Sequence, residues 1–181
     1  MKNEILGIAR AFGVCMLLTA SHLCAQSDRT FTSHVLTAAL AIPAAAQTQV
    51  PFKGTFQGND TVTPPTTIAT TGTGMGTLLG QFSFTQEVTV NVANFTDTGS
   101  AHWIAANGDS IYTTVVGSAV PGSVVFKITE IHTITGGTGR FTAAQGSFTV
   151  DRTHNVEPSA DGTHFTSGSF DGTITSPGAA H

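Results

Sequence analysis

Glu130 and His132 stand two residues apart in Thr129-Glu130-Ile131-His132-Thr133. In an extended strand that spacing puts both side chains on one face, with Cβ atoms roughly 7 Å apart from two rises of ~3.3 Å. A carboxylate beside an imidazole in a low-dielectric cavity can hold a polar ligand group or move a proton. At the rim of a barrel the same two groups are simply hydrated, or paired with a Ser or Thr of the next strand, because an unpartnered buried charge is costly. Arg152 and His154 repeat the spacing and share parity with Phe148 and Val150, while Asp151 falls on the opposite face. Arg152 can neutralise an acidic ligand, pair with Glu130 if their strands are neighbours, or lie on the surface as most arginines do. These four residues are the ligand-pocket candidates.

Other chemistries lack their signatures. His102, His132, His154 and His164 are scattered without a His-x-His pair or close ligand spacing, so no metal is expected, and no cofactor. Gly99-Ser100 and Gly117-Ser118 lack the second glycine of a nucleophile elbow, which leaves a hydrolase nothing to rest on. Gly72-Thr73-Gly74-Met75-Gly76 and Gly136-Gly137-Thr138-Gly139-Arg140 invite a phosphate-loop interpretation, but neither ends in Lys-Ser or Lys-Thr and neither leads into a helix. Their glycines instead suit turns with positive φ and close backbone approach in bent strands. After residue 46 the basic residues are Lys53, Lys127, Arg140 and Arg152, against nine acidic ones. That balance argues against DNA or RNA as a partner.

The elements that would position the candidates are strands. The chain has 181 residues with 20 glycines, 12 phenylalanines and only 10% charged residues, room for one compact domain and a leader. From Val50 onward no stretch shows the three-and-four apolar spacing of a helix. Phe82, Phe84, Val88, Val90 and Val92 share one face with Gln86, and Ser83, Thr85, Glu87, Thr89 and Asn91 share the other, the alternation of a half-buried antiparallel strand. Turn residues divide the rest into strands near 52–58, 72–80, 99–105, 110–118, 123–134, 142–154 and 163–176. Asn59-Asp60, Asn107-Gly108-Asp109, Pro121-Gly122, Gly136-Gly137 and Asp161-Gly162 are the punctuation. Eight strands in ~135 residues predict an all-β fold, a single antiparallel eight-stranded barrel, since closure removes exposed edges. On the strand at 123–134 the even positions Val124, Phe126, Ile128, Glu130, His132 and Ile134 form the more apolar face, which should point inward. Trp103, Tyr112 and the phenylalanines are expected to fill the barrel.

Ile134-Thr135-Gly136-Gly137-Thr138-Gly139-Arg140-Phe141, continued to Gly146, resembles the TGGTG-x-F … G signature of plant allene oxide cyclases and dirigent proteins. Leu79-Gly80-Gln81-Phe82 and Ala105-Ala106-Asn107-Gly108-Asp109 resemble motifs of small exported bacterial proteins of unassigned activity. The resemblance implies an eight-stranded, calycin-type barrel in which Gly136, Gly137, Gly139, Phe141 and Gly146 are structural. It also implies self-association, as trimers. It does not carry chemistry across, because fold alone does not define function. The cyclases place a catalytic carboxylate on the first strand, and Phe52–Gly58 has none; their pocket tyrosine precedes the glycine motif, where this chain has Val120-Pro121-Gly122.

Residues 1–46 read as an export leader, so a secreted or periplasmic location is expected for a barrel domain spanning 47–181. Lys2 and Arg10 precede the apolar run Ala11–Ala20, and Arg29 precedes a second, Val35–Ile42, followed by Pro43 and Ala44-Ala45-Ala46. Cleavage after Ala46 is preferred over the small-residue ending of the first run at Leu23-Cys24-Ala25; a further alternative is one anchor helix broken at Ser27-Asp28-Arg29. Neither run reaches the roughly 18–20 residues of a membrane span. Both cysteines, Cys15 and Cys24, lie within this leader, so the domain must hold without disulfides. A hydrophobic or amphipathic small molecule in the lumen is the expected partner. The alternatives are a cyclase or isomerase assisted by Glu130 and His132, and a non-catalytic structural module of the envelope.

Overall fold

A computed structural model describes residues 48–175. The leader expected over 1–46, with both cysteines, lies outside them. Eight antiparallel strands run in chain order around a closed barrel: β1 (Gln49–Thr63), β2 (Thr67–Gly76), β3 (Gly80–Asn91), β4 (Thr96–Ala105), β5 (Ser110–Val120), β6 (Val125–Gly137), β7 (Gly146–Asn155) and β8 (His164–Thr175). A short 3₁₀ turn, Gly139–Phe141, interrupts the β6–β7 connection. Closure comes from β1 pairing with β8, from Gln49 opposite Thr175 to Asp60 opposite His164. No helix among the described residues is long and apolar enough to cross a membrane.

The expected all-β barrel is the observed architecture, with several strand limits displaced. β1 does not stop at Gly58-Asn59-Asp60. It continues through Thr61-Val62-Thr63 and turns at Pro64-Pro65, since proline lacks the N–H that a paired strand must donate. β2 starts at Thr67, earlier than expected, and its glycines lie in the strand. Gly136 and Gly137 end β6 opposite Tyr112 and Ile111, and the turn follows them at Gly139, where φ is 56°. A side chain at Gly139 would collide with the Asp109 carboxylate, which accepts a hydrogen bond from the Arg140 amide at 3.3 Å. Phe141, carried in by this turn, is buried.

The two ends of the barrel differ. At the lower end, where the β2–β3, β4–β5 and β6–β7 connections lie, the interior is packed with rings. Trp103 stacks on Phe84 at 4.9 Å and meets Phe148 and Phe170 edge-on at 5.4 Å, while Phe52 contacts Phe148 and Phe170 at 5.0 Å. Each such pair adds about 0.5–1.5 kcal/mol beyond area burial. Glycine on the adjacent strand makes the room: Gly74 pairs directly with Phe82, and a Cβ there would stand 2.6 Å from the Phe82 ring. Leu79, Ile111, Phe141, Ala144 and Ile174 complete this half of the core. Tyr112 is not part of it. It lies on the outside, 42% exposed and stacked on His102 at 4.7 Å, because it alternates with the inward residues Ile111 and Thr113 along β5.

Candidate functional site

Above the aromatic half, the inward positions become polar. β6 supplies Glu130 and His132, β7 supplies Arg152 and His154, β1 Asp60, β2 Thr70, β3 Gln86, β4 Asp97, β5 Thr113 and β8 Thr166, and all are buried. Arg152 is at the centre. Its Nε and Nη2 donate to the two Glu130 oxygens, both at 3.0 Å, and Nη1 donates to Asp60 Oδ2 at 2.9 Å and to Thr166 Oγ1 at 3.1 Å. The fork of a guanidinium matches a carboxylate in this bidentate manner.

The two carboxylates are further held from the other walls. Gln86 Nε2 donates to Glu130 Oε1 at 2.7 Å, and Thr70 Oγ1 donates to Asp60 Oδ1 at 2.6 Å. His154 Nδ1 lies 2.6 Å from Asp60 Oδ2; the carboxylate can only accept, so this nitrogen carries the proton. His132 Nδ1 lies 3.0 Å from Thr113 Oγ1, while its Nε2 stands 3.9 Å from Glu130 and makes no hydrogen bond. The His132 ring itself is stacked on Phe148 at 4.8 Å.

Burial alone would raise the pKa of both carboxyls. For Glu130 the Arg152 charge outweighs it and lowers the value to about 2, and for Asp60 the His154 hydrogen bond and Arg152 hold it below the ordinary range. Burial would likewise lower Arg152, but Glu130 and Asp60 outweigh it and raise its pKa. Asp97 is the exception. Burial and the neighbouring Glu130 charge raise its carboxyl to about 6, with only partial relief from Arg152. Its Oδ1 has no hydrogen-bond partner among the described residues.

This network is the floor of a cavity of about 220 Å³ at the upper end of the barrel, where the β1–β2, β3–β4, β5–β6 and β7–β8 connections lie. Asp97, Arg152 and His154 reach it from below; Ile68, Val88, Val90, Phe126 and Ile128 are among its walls. Apolar walls with a few convergent polar groups are the usual make-up of a small-molecule site. A larger hollow of about 530 Å³ near Gln57, Thr71 and Ser83 is an open groove on the outer wall, with no charged side chain in its lining.

The four sequence candidates therefore come together but in two roles. Arg152 and His154 border the cavity, whereas Glu130 and His132 lie beneath it and are fully buried, not hydrated at a rim. Arg152 does pair with Glu130, across the adjacent strands β6 and β7. It is not free to neutralise an acidic ligand, because two carboxylates already occupy it. Asp60 corrects a second expectation: the first strand does carry an inward carboxylate, just beyond the limit expected for that strand. Sequence reasoning misses Asp97, Thr70 and Thr166 as well. Among the described residues no cluster of three or more metal-ligating side chains occurs.

No protein-family model matches this sequence, and no curated protein does. Among solved structures the chain is similar to a pterocarpan synthase dirigent protein, with a TM-score of 0.49 and 10% sequence identity over 75% of this chain and 95% of that one.

Proposed function

We propose that this protein binds a small amphipathic molecule in the upper half of its barrel. The observation that carries the proposal is the cavity itself, with aliphatic and aromatic walls over a floor where one carboxylate oxygen is unpaired. A packed lower half and a hollow upper half give a ligand one way in and a rigid base to rest on. Binding is favoured over a cyclase reaction because the groups considered for catalysis do not border the cavity: Glu130 is held under Arg152, and His132 is buried against Phe148.

Extraction of the purified protein with organic solvent, followed by mass spectrometry, should yield a reproducible amphipathic molecule. Val90→Trp places a bulky ring in the cavity, and the recovered amount should drop at least tenfold in that variant. Protein that yields no such molecule and takes up no n-octanol from solution would overturn the proposal.

The leader motifs motivate a second part of the same proposal, that the barrel works outside the cytoplasm. Amino-terminal sequencing of protein recovered from the periplasm or medium should begin at Gln47, two residues before β1. Recovery only from the cytoplasm, with Met1 intact, would contradict it.

A further inference from the structure

We infer that the ligand is a cationic amphiphile, an apolar body carrying one protonated amine that docks on Asp97. The inference rests on the binding proposal above and sharpens it by charge. Asp97 is only 6% exposed, borders the cavity, and its buried Oδ1 has no hydrogen-bond partner among the described residues. An ammonium donates up to three hydrogen bonds and accepts none, so it complements an unpartnered carboxylate oxygen.

The surroundings exclude the opposite sign. Asp60, Glu130 and Asp97 face a single guanidinium, and Arg152 gives four of its five N–H donors to the first two and to Thr166. Lys53, Lys127 and Arg140 do not border the cavity. A carboxylate ligand would bring a fourth negative charge to a floor with no unengaged cation among the described residues, whereas an ammonium meets unbalanced negative charge. His154, which also borders the cavity, commits its Nδ1 proton to Asp60.

Local geometry holds Asp97 in this position. Gly117 lies opposite it across the β4–β5 pair, and a Cβ there would come 2.8 and 2.9 Å from the two carboxylate oxygens and 2.6 Å from Glu130 Cγ. The missing side chain is what allows two carboxylates to approach each other, an arrangement that repels itself until a cation arrives.

Calorimetric titration of the purified protein at pH 7.5 with octylamine, n-octanol and octanoate isolates the charge, since the three share one alkyl chain. Octylammonium should bind at least tenfold more tightly than octanol, with octanoate the weakest. In Asp97→Asn the octylammonium-to-octanol ratio should collapse to about one. Equal affinity for amine and alcohol in the unmodified protein, or octanoate ahead of either, overturns the amine assignment and leaves the binding proposal standing. Uptake of none of the three overturns both. A preference for amine that survives Asp97→Asn overturns the docking role of Asp97, and should that variant fail to fold, the ratio in the unmodified protein still decides.

Discussion

Arg152→Met will lower stability by about 3–5 kcal/mol, the usual result of stripping one partner from a buried ionic cluster. The substitution keeps most of the side-chain volume, so lost packing is a minor part of the effect. What remains is Glu130 and Asp60, both fully buried, each deprived of the cation that made ionisation tolerable. Urea denaturation at pH 7 measures the loss. A matched variant combining Arg152→Met with Glu130→Gln and Asp60→Asn should recover most of it, because no buried charge is then left unpaired. A loss below about 1 kcal/mol in the single variant would mean that solvent reaches these carboxylates and that the floor is not sealed.

The same variant should invert part of the pH dependence. In the unmodified protein Glu130 is held at about 2, below its ordinary 4.5, and Asp60 is shifted the same way. Groups with a lowered folded-state pKa contribute stability that is present above the unfolded value and disappears as pH falls through the folded one. Their contribution is therefore lost between about pH 4.5 and 2. Without Arg152, desolvation is no longer outweighed, both pKa values rise, and acidification from neutral pH relieves an unfavourable charge. Stability of Arg152→Met should climb as pH drops from 7 toward 5, the opposite of what loss of a carboxylate contact produces in the unmodified chain.

Which residues of the site are legible in the sequence follows a physical pattern. Glu130, His132, Arg152 and His154 are legible because each sits in a run whose other same-face residues are apolar, Ile128 and Ile134 for one strand and Phe148 and Val150 for the other. Asp60 and Asp97 are not. A carboxylate pointing into a barrel interrupts the alternation by which a strand is recognised, and beside asparagine or glycine it mimics a turn. Asn59-Asp60 looks like the end of β1, and Thr96-Asp97-Thr98-Gly99 looks like a loop, although both lie within strands. Partnership across a lumen has no local signal at all. Gln86 meets Glu130 from 44 residues away and His154 meets Asp60 from 94, distances set by closure of the sheet and not by spacing along it. The glycines of β2 are legible as features of a bent strand but not as sockets for Phe82 and Phe84, which requires knowing the register of β2 against β3.

Asp97→Asn should make the protein more stable at pH 7, by about 2 kcal/mol. Its carboxyl titrates near 6 instead of 3.8, and each tenfold change in proton affinity corresponds to about 1.4 kcal/mol; access to the cavity mouth tempers the full value. The sign follows from proton binding. A carboxyl whose folded pKa is raised takes up its proton more readily in the native state, so the stabilisation is complete below about 3.8 and is lost as pH rises through about 6. Asparagine, neutral at every pH, removes that loss. The two proteins should therefore differ most at neutral pH and converge below about pH 4, a comparison made by thermal unfolding across the range. A variant that is less stable at pH 7 would show that the Asp97 carboxylate is a partnered structural group. The expected gain has a consequence for function. A sheet selected for stability alone would place a neutral side chain opposite Gly117, and a position where ionisation opposes folding is more readily understood if the charge serves something that binds. The residue whose removal stabilises the empty barrel is thus the one whose removal should abolish its preference for a cation.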